Sequence, residues 1–173
     1  PAESALAGAQ AELTGHDEND TQRLKSSLAV VGIYDFILID CPPSLSILTI
    51  NALAAADSVL IPMQCEYYAL EGLTALLGTV EQIRGGVNRK LTLFGILRTM
   101  FDPRNSLATE VSGQLTQHFG ERVFRTVIPR NVRLAEAPSF GKPALYRDKY
   151  CQGALAYLAL AGEINRRESA QTG

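Results

Sequence analysis

Tyr34-Asp35-Phe36-Ile37-Leu38-Ile39-Asp40-Cys41-Pro42-Pro43-Ser44 is the stretch that decides the fold. Residues 36–39 form a short, nearly continuous apolar run, as expected of a parallel strand covered on both faces. Pro42-Pro43 forbids its continuation, because neither proline can donate to a ladder. The run therefore delivers one carboxylate, Asp40, into a stiff turn. Ser44 is placed to cap a following helix, whose apolar face spans 45–55. Asp35, one residue before the run, reads as a turn acid.

Working outward, residues 1–15 read as a short helix or a frayed end. Residues 17–31 read as a helix. Leu24, Leu28 and Val31 share one face, acids sit at the front where the helix dipole favours them, and Gly32 ends it. Downstream, a strand over 59–63 is stopped by Pro62, and a helix over 70–83 is ended by Gly85-Gly86. A strand over 91–99 carries Gly95, and a helix over 106–119 is closed by Gly120. A strand over 123–128 is stopped by Pro129. Residues 133–137 are at most a short turn, 138–148 an irregular loop, and 153–167 the last helix. Strands alternating with helices at this spacing predict βαβ units around a mostly parallel sheet, with helices on both faces. Ligands in such sheets sit beyond the carboxyl ends of the strands. Asp40, Gln64, Met100-Phe101-Asp102 and Pro129-Arg130-Asn131 all fall there.

The 173 residues predict one domain, and 46% hydrophobic content with a mean hydropathy near zero supplies a core. Cys41, Cys65 and Cys151 are spread out without a C-x-x-C pair, which argues against a structural zinc and fits a reducing compartment. No apolar run reaches membrane-spanning length, so the expected location is cytoplasmic, with no membrane partner. Charge is unevenly placed. Residues 1–40 carry seven acids and two bases, whereas 84–149 carry twelve bases and five acids. The cationic half suits phosphate or nucleic acid, and equally a solvated mixed surface.

A carboxylate at a buried strand end must be paired, hydrogen-bonded or near a metal. Magnesium keeps several waters and takes few protein oxygens beside substrate phosphates, so Asp40 suits it through a water. A helix cap or a salt-bridged acid is the structural alternative. Gln64, Glu66, Tyr67 and Tyr68 follow the second strand and face a partner, a nucleotide or water. Asp102 and Pro103 read as a turn with Arg104 at its tip. Asn131 offers a paired donor and acceptor suited to a base edge. Arg84, Arg89, Lys90, Arg104, Arg130, Arg133, Lys142, Arg147 and Lys149 are candidate contacts to the backbone of double-stranded DNA. Such contacts are sequence-independent and weakened by salt. His16 and His118 show no arrangement for nucleophilic chemistry.

The stretch around Asp40 resembles the ParA/Soj partition ATPases of the ParA/MinD deviant P-loop superfamily. So do residues 56–72, Thr99-Met100-Phe101-Asp102-Pro103-Arg104 and residues 127–139, in the family's order. The resemblance covers roughly 20–165. It implies a three-layer α/β/α nucleotide-binding domain of AAA/CbiA-like type over 1–173. It implies ATP and Mg2+ as cofactors, ATP-dependent dimerisation, non-specific DNA binding, nucleoid association and a ParB/Spo0J-like partner in chromosome or plasmid partitioning. On this likeness Asp40 is the Walker B acid, with Pro42, Thr99, Met100, Pro129, Arg130, Asn131 and Val132 on the nucleotide side. Gln64, Glu66 and Tyr67 belong to the dimer or switch region. A non-enzymatic DNA- or partner-binding module and a MinD-like positioning ATPase are the alternatives.

The sequence departs from the family in its opening part: the strand, the phosphate loop and the acid that activates water, which the resemblance implies, are not found in it. No G-x-x-x-x-G-K-[ST] phosphate loop occurs in it. The expectation is a truncated family member, a partial sequence or a stand-alone remnant, unable by itself to hydrolyse ATP. In the family the P-loop strand lies between the Asp40 strand and the 59–63 strand. Without that neighbour those strands are expected to expose ladder groups, or to pair with each other or with another chain, giving a rearranged sheet or an oligomer that covers the gap.

Overall fold

The chain orders its elements as α1 (Arg23–Leu28), α2 (Ile47–Ala55), β1 (Ser58–Gln64), α3 (Ala69–Gly85) and β2 (Thr92–Phe101). There follow α4 (Ser106–Phe119), β3 (Val123–Pro129), α5 (Val132–Glu136), α6 (Ala144–Arg147) and α7 (Gln152–Gln171). A computed structural model describes residues 18–42 and 46–171. The expected helix over 1–15 and the cap at Ser44 lie outside them. The chain divides into two compact units, Pro1–Val59 with Ala75–Leu93, and Leu60–Thr74 with Phe94–Gly173.

The first unit is held by a cluster of Leu53, Val80, Ile83 and Leu91, against which Ile50, Ala56 and Val59 pack. Two buried amides organise it. Asn51 Nδ2 donates to the carbonyls of Asp20 at 2.7 Å and Ile47 at 3.1 Å, and its Oδ1 accepts from Leu24 N at 3.3 Å. Asn88 Nδ2 donates to the carbonyls of Leu53 at 3.0 Å and Ala56 at 2.7 Å, at the end of α2. Each serves backbone groups that a helix leaves unpaired or that a turn exposes. The helix expected over 17–31 is a 3-10 turn, Glu18–Gln22, followed by α1, which stops at Leu28 rather than at Gly32. Ser46 is the observed cap of α2, its side chain accepting from Thr49 N.

Residues 36–39 do not form a strand. They make no ladder among the described residues, and Phe36, Ile37 and Leu38 are 51%, 45% and 90% exposed. An apolar run becomes a strand only when a neighbour supplies hydrogen bonds and cover.

The sheet has three strands in the order β1-β2-β3, with β2 and β3 parallel. The strand expected to stop at Pro62 runs through it to Gln64. Edge position explains this, because a proline at an edge need not donate to a neighbour. In the second unit Phe94, Leu97, Phe124, Ile128 and Leu160 form the core. Gly95 is required by close approach. A Cβ there would stand 2.7 Å from both Arg122 O and Phe124 Cε2.

The β2–β3 register shifts twice, between Ile96 and Arg98 and between Arg98 and Phe101. At the first shift Arg98 Nη2 donates to Phe124 O at 2.9 Å, and Nη1 to Ser112 Oγ at 2.8 Å. From α7, Glu163 accepts the N–H groups of Arg125 and Thr126, and Arg167 donates to Val123 O while its guanidinium lies 4.0 Å over the Phe124 ring. The extra residues of β3 thus find polar partners from two side chains of α7 and one of β2. The loop expected over 138–148 contains a 3-10 turn, Ala137–Phe140, and the short helix α6.

Candidate functional site

The strand exits of the second unit hold most of the candidate residues. Gln64 ends β1, and Glu66, Tyr67 and Tyr68 stand exposed after the buried Cys65. The rings of Tyr67 and Tyr68 meet edge to face at 4.9 Å, each residue 73% exposed. At the exit of β2, Thr99 is half-buried and Met100 exposed. Met100 has φ of 50°, the one non-glycine residue with positive φ among those described. This left-handed backbone coincides with the second register shift. Strain of this kind is retained where the surroundings dictate the backbone.

The exits of β2 and β3 are joined. Arg130 N donates to Phe101 O at 3.2 Å. Pro129 is half-buried, Arg130 exposed, and Val132 69% exposed. Asn131 caps α5, its Oδ1 accepting from Arg133 N at 2.9 Å and Leu134 N at 3.3 Å. That engages the carbonyl half of an amide expected to offer both halves to a base edge.

Asp102 and Arg104 form the turn expected of them. Asp102 Oδ1 accepts from Arg104 N at 3.0 Å and Nε at 2.9 Å, and Oδ2 accepts from Nη2 at 2.7 Å. These side-chain hydrogen bonds, then the backbone one, hold the Asp102 carboxyl at about 2, with the charges of Arg104 and Arg130 acting in the same direction. The Arg104 side chain nevertheless stands 87% exposed. Glu136 Oε2 pairs with both Arg133 Nη1 and Arg147 Nη2 at 3.2 Å. Arg147 also covers the Phe140 ring at 3.5 Å, and Lys149 Nζ lies 5.0 Å from the centre of the Tyr150 ring. Exposed Lys142 stands on the rim of an apolar cavity of about 560 Å³, with Leu134, Tyr157 and Leu158 in its wall.

The remaining candidates belong to the first unit. Asp40 and Pro42 are exposed in the irregular segment after residue 39. Asp40 makes no ion pair with a described residue. One open carboxylate fits the chemistry of magnesium, which asks little of the protein and much of water and phosphate. Arg84 pairs with Glu81 at 2.8 Å, whereas Arg89 and Lys90 are exposed. Glu136, Glu163, Arg98 and Arg167 are structural partners that no motif in the sequence marks. The i, i+4 spacing of Glu163 and Arg167 was a signal for the last pair.

Residues 1–93, more than half of the chain, match the family described as AAA domain. The chromosome partitioning protein ParA of Caulobacter vibrioides is 50% identical over 171 residues, covering 97% of this chain and 64% of that protein. The chain belongs to the AAA domain family and is a ParA/Soj homologue. The chromosome-partitioning ATPase Soj of Thermus thermophilus is 54% identical over 167 residues, covering 96% of this chain and 65% of Soj. Among solved structures, cobyrinic acid a,c-diamide synthase of Mycobacterium smegmatis with bound ADP and magnesium superposes with a TM-score of 0.77. It is 31% identical and matches over 96% of this chain and 61% of the synthase. The ParA/Soj homologue therefore has the α/β fold class expected of it. It spans 56% to 66% of the length of the curated relatives it matches. No helix among the described residues is long and apolar enough to cross a membrane.

Proposed function

We propose that this ParA/Soj homologue serves chromosome or plasmid partitioning as part of a ParA-type ATPase. Identity of 50% across 97% of the chain to a chromosome partitioning ParA carries the reading. On it, the whole protein binds ATP, dimerises, holds double-stranded DNA without sequence preference and responds to a ParB/Spo0J-like partner in the cytoplasm at the nucleoid.

The residue roles follow the strand exits. Asp40 holds Mg2+ through a water. Pro42, Thr99, Met100, Pro129, Arg130, Asn131 and Val132 lie on the nucleotide side, and the linked β2 and β3 exits support grouping the last six of these with one ligand. Magnesium, when bound, neutralises developing charge on the phosphates. The chain's own contribution is to position the ligand. Gln64, Glu66 and Tyr67 serve the dimer or switch region, and the exposed Tyr67–Tyr68 pair supports an interface there. Arg84, Arg89, Lys90, Arg104, Arg130, Arg133, Lys142, Arg147 and Lys149 are the candidate DNA contacts.

The 173-residue chain alone is expected not to turn over ATP, since its sequence holds no phosphate loop to position the γ-phosphate. Two measurements test the reading. Random-sequence duplex DNA should bind this chain at low salt and dissociate as salt rises. Phosphate release should stay at background in the wild type. Absence of DNA binding at low salt would remove the nucleic-acid role. Micromolar, saturable ATP turnover that disappears in Asp40→Ala would remove the inactivity.

A further inference from the structure

Three of the cations assigned to DNA in the second unit, Arg104, Arg133 and Arg147, are paired with carboxylates. Asp102 grips Arg104 through its backbone N–H, Nε and Nη2. One edge of that guanidinium is thereby taken, while the Arg104 side chain remains 87% exposed. Arg130, whose N–H is bonded to the exit of β2, adds its positive field at the same carboxylate. Glu136 divides one oxygen between Arg133 and Arg147, and Asp148 lies 3.9 Å from Arg133 Nε. Lys142 and Lys149, in contrast, make no ion pair with any described residue.

A carboxylate and a phosphate each offer a guanidinium two oxygens that accept a bidentate pair of hydrogen bonds. Whichever occupies the fork excludes the other from that edge. Each carboxylate also cancels one positive charge within a Debye length of the surface that meets DNA. The arrangement allows an approaching phosphate to touch the open edge of the arginine first and then to contest the occupied one.

We propose that Asp102 and Glu136 are built-in competitors for the DNA backbone, so that the surface binds by exchanging carboxylate for phosphate at Arg104 and at the Arg133–Arg147 pair. This rests on the reading of the cationic half as a DNA surface. Its consequence is a contact that forms readily and releases readily. The acids set how weak it is, and Lys142 and Lys149 contribute attraction that needs no exchange.

The test is salt-resolved fluorescence anisotropy with a labelled random-sequence duplex and the full 173-residue chain. Asp102→Asn keeps an oxygen for the Arg104 backbone N–H, and Glu136→Gln keeps an acceptor for Arg133, so both preserve the local turn. Glu121→Gln makes the same change in net charge at a residue without an ion pair among the described residues. Asp102→Asn and Glu136→Gln should each tighten binding on the order of threefold to tenfold, and steepen the log–log salt slope by up to about 1. Glu121→Gln should change affinity about twofold or less, and Asp102→Asn placed on Arg104→Ala should gain no more than that control. Equal gains in all three single variants would reduce the effect to net charge and overturn the proposal. Weaker binding by Asp102→Asn would make that acid a positioning residue for Arg104 and also overturn it. Wild-type binding with insensitive variants would sink the exchange alone. No binding by any of the proteins would sink the DNA reading and the exchange with it.

Discussion

The carboxylate of Glu163 accepts the backbone N–H of Thr126 at 2.8 Å, across 37 residues of chain. Its other oxygen takes Arg125 N at 2.9 Å and Arg167 Nη2 at 2.9 Å. A bulged strand leaves adjacent N–H groups without ladder partners. Here one acid 6% exposed satisfies two of them, and the neighbouring arginine balances its charge. Glu163→Gln leaves a donor where acceptors are needed. The expected loss is about 2–4 kcal/mol of unfolding free energy, measured as a lower urea midpoint with unchanged slope. A change below about 0.5 kcal/mol would show that water replaces the carboxylate without cost.

The same acid sets a pH dependence. Burial pushes the Glu163 carboxyl up, but hydrogen bonds from Thr126, Arg125 and Arg167 outweigh it and hold the group at about 2, below its ordinary 4.5. A depressed carboxyl stabilises the fold fully above the unfolded value and loses that contribution as pH falls through the folded one. Stability should therefore decline from about pH 4.5 towards 2, by about 2–3 kcal/mol from this group. Glu163→Gln should flatten that part of the curve. Asp102 titrates in the same window but lies at the surface, where solvent screens its pairing with Arg104.

Much of this architecture is legible in the sequence because its signals are local. Gly120 closes α4, and the helix observed over Ser106–Phe119 has the limits its sequence predicts. Pro129 marks the end of β3. Pro62 misleads, because whether a proline stops a strand depends on which edge its nitrogen faces, and that is a property of the sheet. Residues 36–39 mislead more deeply. Their composition encodes a demand for burial, and only another segment can meet it. The candidate site shows the same division. Arg104 and Arg130 are found by counting charges near strand ends. The register shifts of β2 against β3, the reach of Glu163 to the N–H groups of Arg125 and Thr126, and the strain at Met100 emerge only once separate segments meet.

Asn88 is the polar peg of the first unit. Its side chain ties the carbonyls of Leu53 and Ala56 to the turn before β2, and its Oδ1 accepts Lys90 N at 3.3 Å. The residue is 7% exposed, so water does not readily replace it. Asn88→Ala should cost about 2–3 kcal/mol. Hydrogen exchange should speed up across residues 47–59 and 83–92 before it changes in α7. Uniform loss of protection across both units would contradict this local role.

Met100 pays for its left-handed backbone. Glycine adopts φ near 50° without a Cβ clash, so Met100→Gly should raise stability by roughly 1 kcal/mol. If this residue lines a nucleotide site in the whole protein, the same substitution should weaken nucleotide affinity while stabilising the fold. Differential scanning calorimetry reads the first effect, and nucleotide titration of the full-length protein reads the second. A lower melting temperature would mean that the Met100 side chain packs more strongly than its 45% exposure suggests.

Leu38 is the extreme case of an unmet demand. It is 90% exposed, and Ile33, Tyr34, Phe36 and Ile37 around it are 84%, 65%, 51% and 45% exposed. An extended apolar run with unpaired backbone groups is a template for pairing with another chain. The 173-residue chain should therefore show concentration-dependent association that Leu38→Lys suppresses, because a charge at this position penalises strand stacking. Static light scattering over a dilution series separates the outcomes. Association that persists unchanged in Leu38→Lys and in Phe36→Lys would place the contact elsewhere. The apolar cavity beside Lys142 would then be the next surface to vary, by Leu158→Lys.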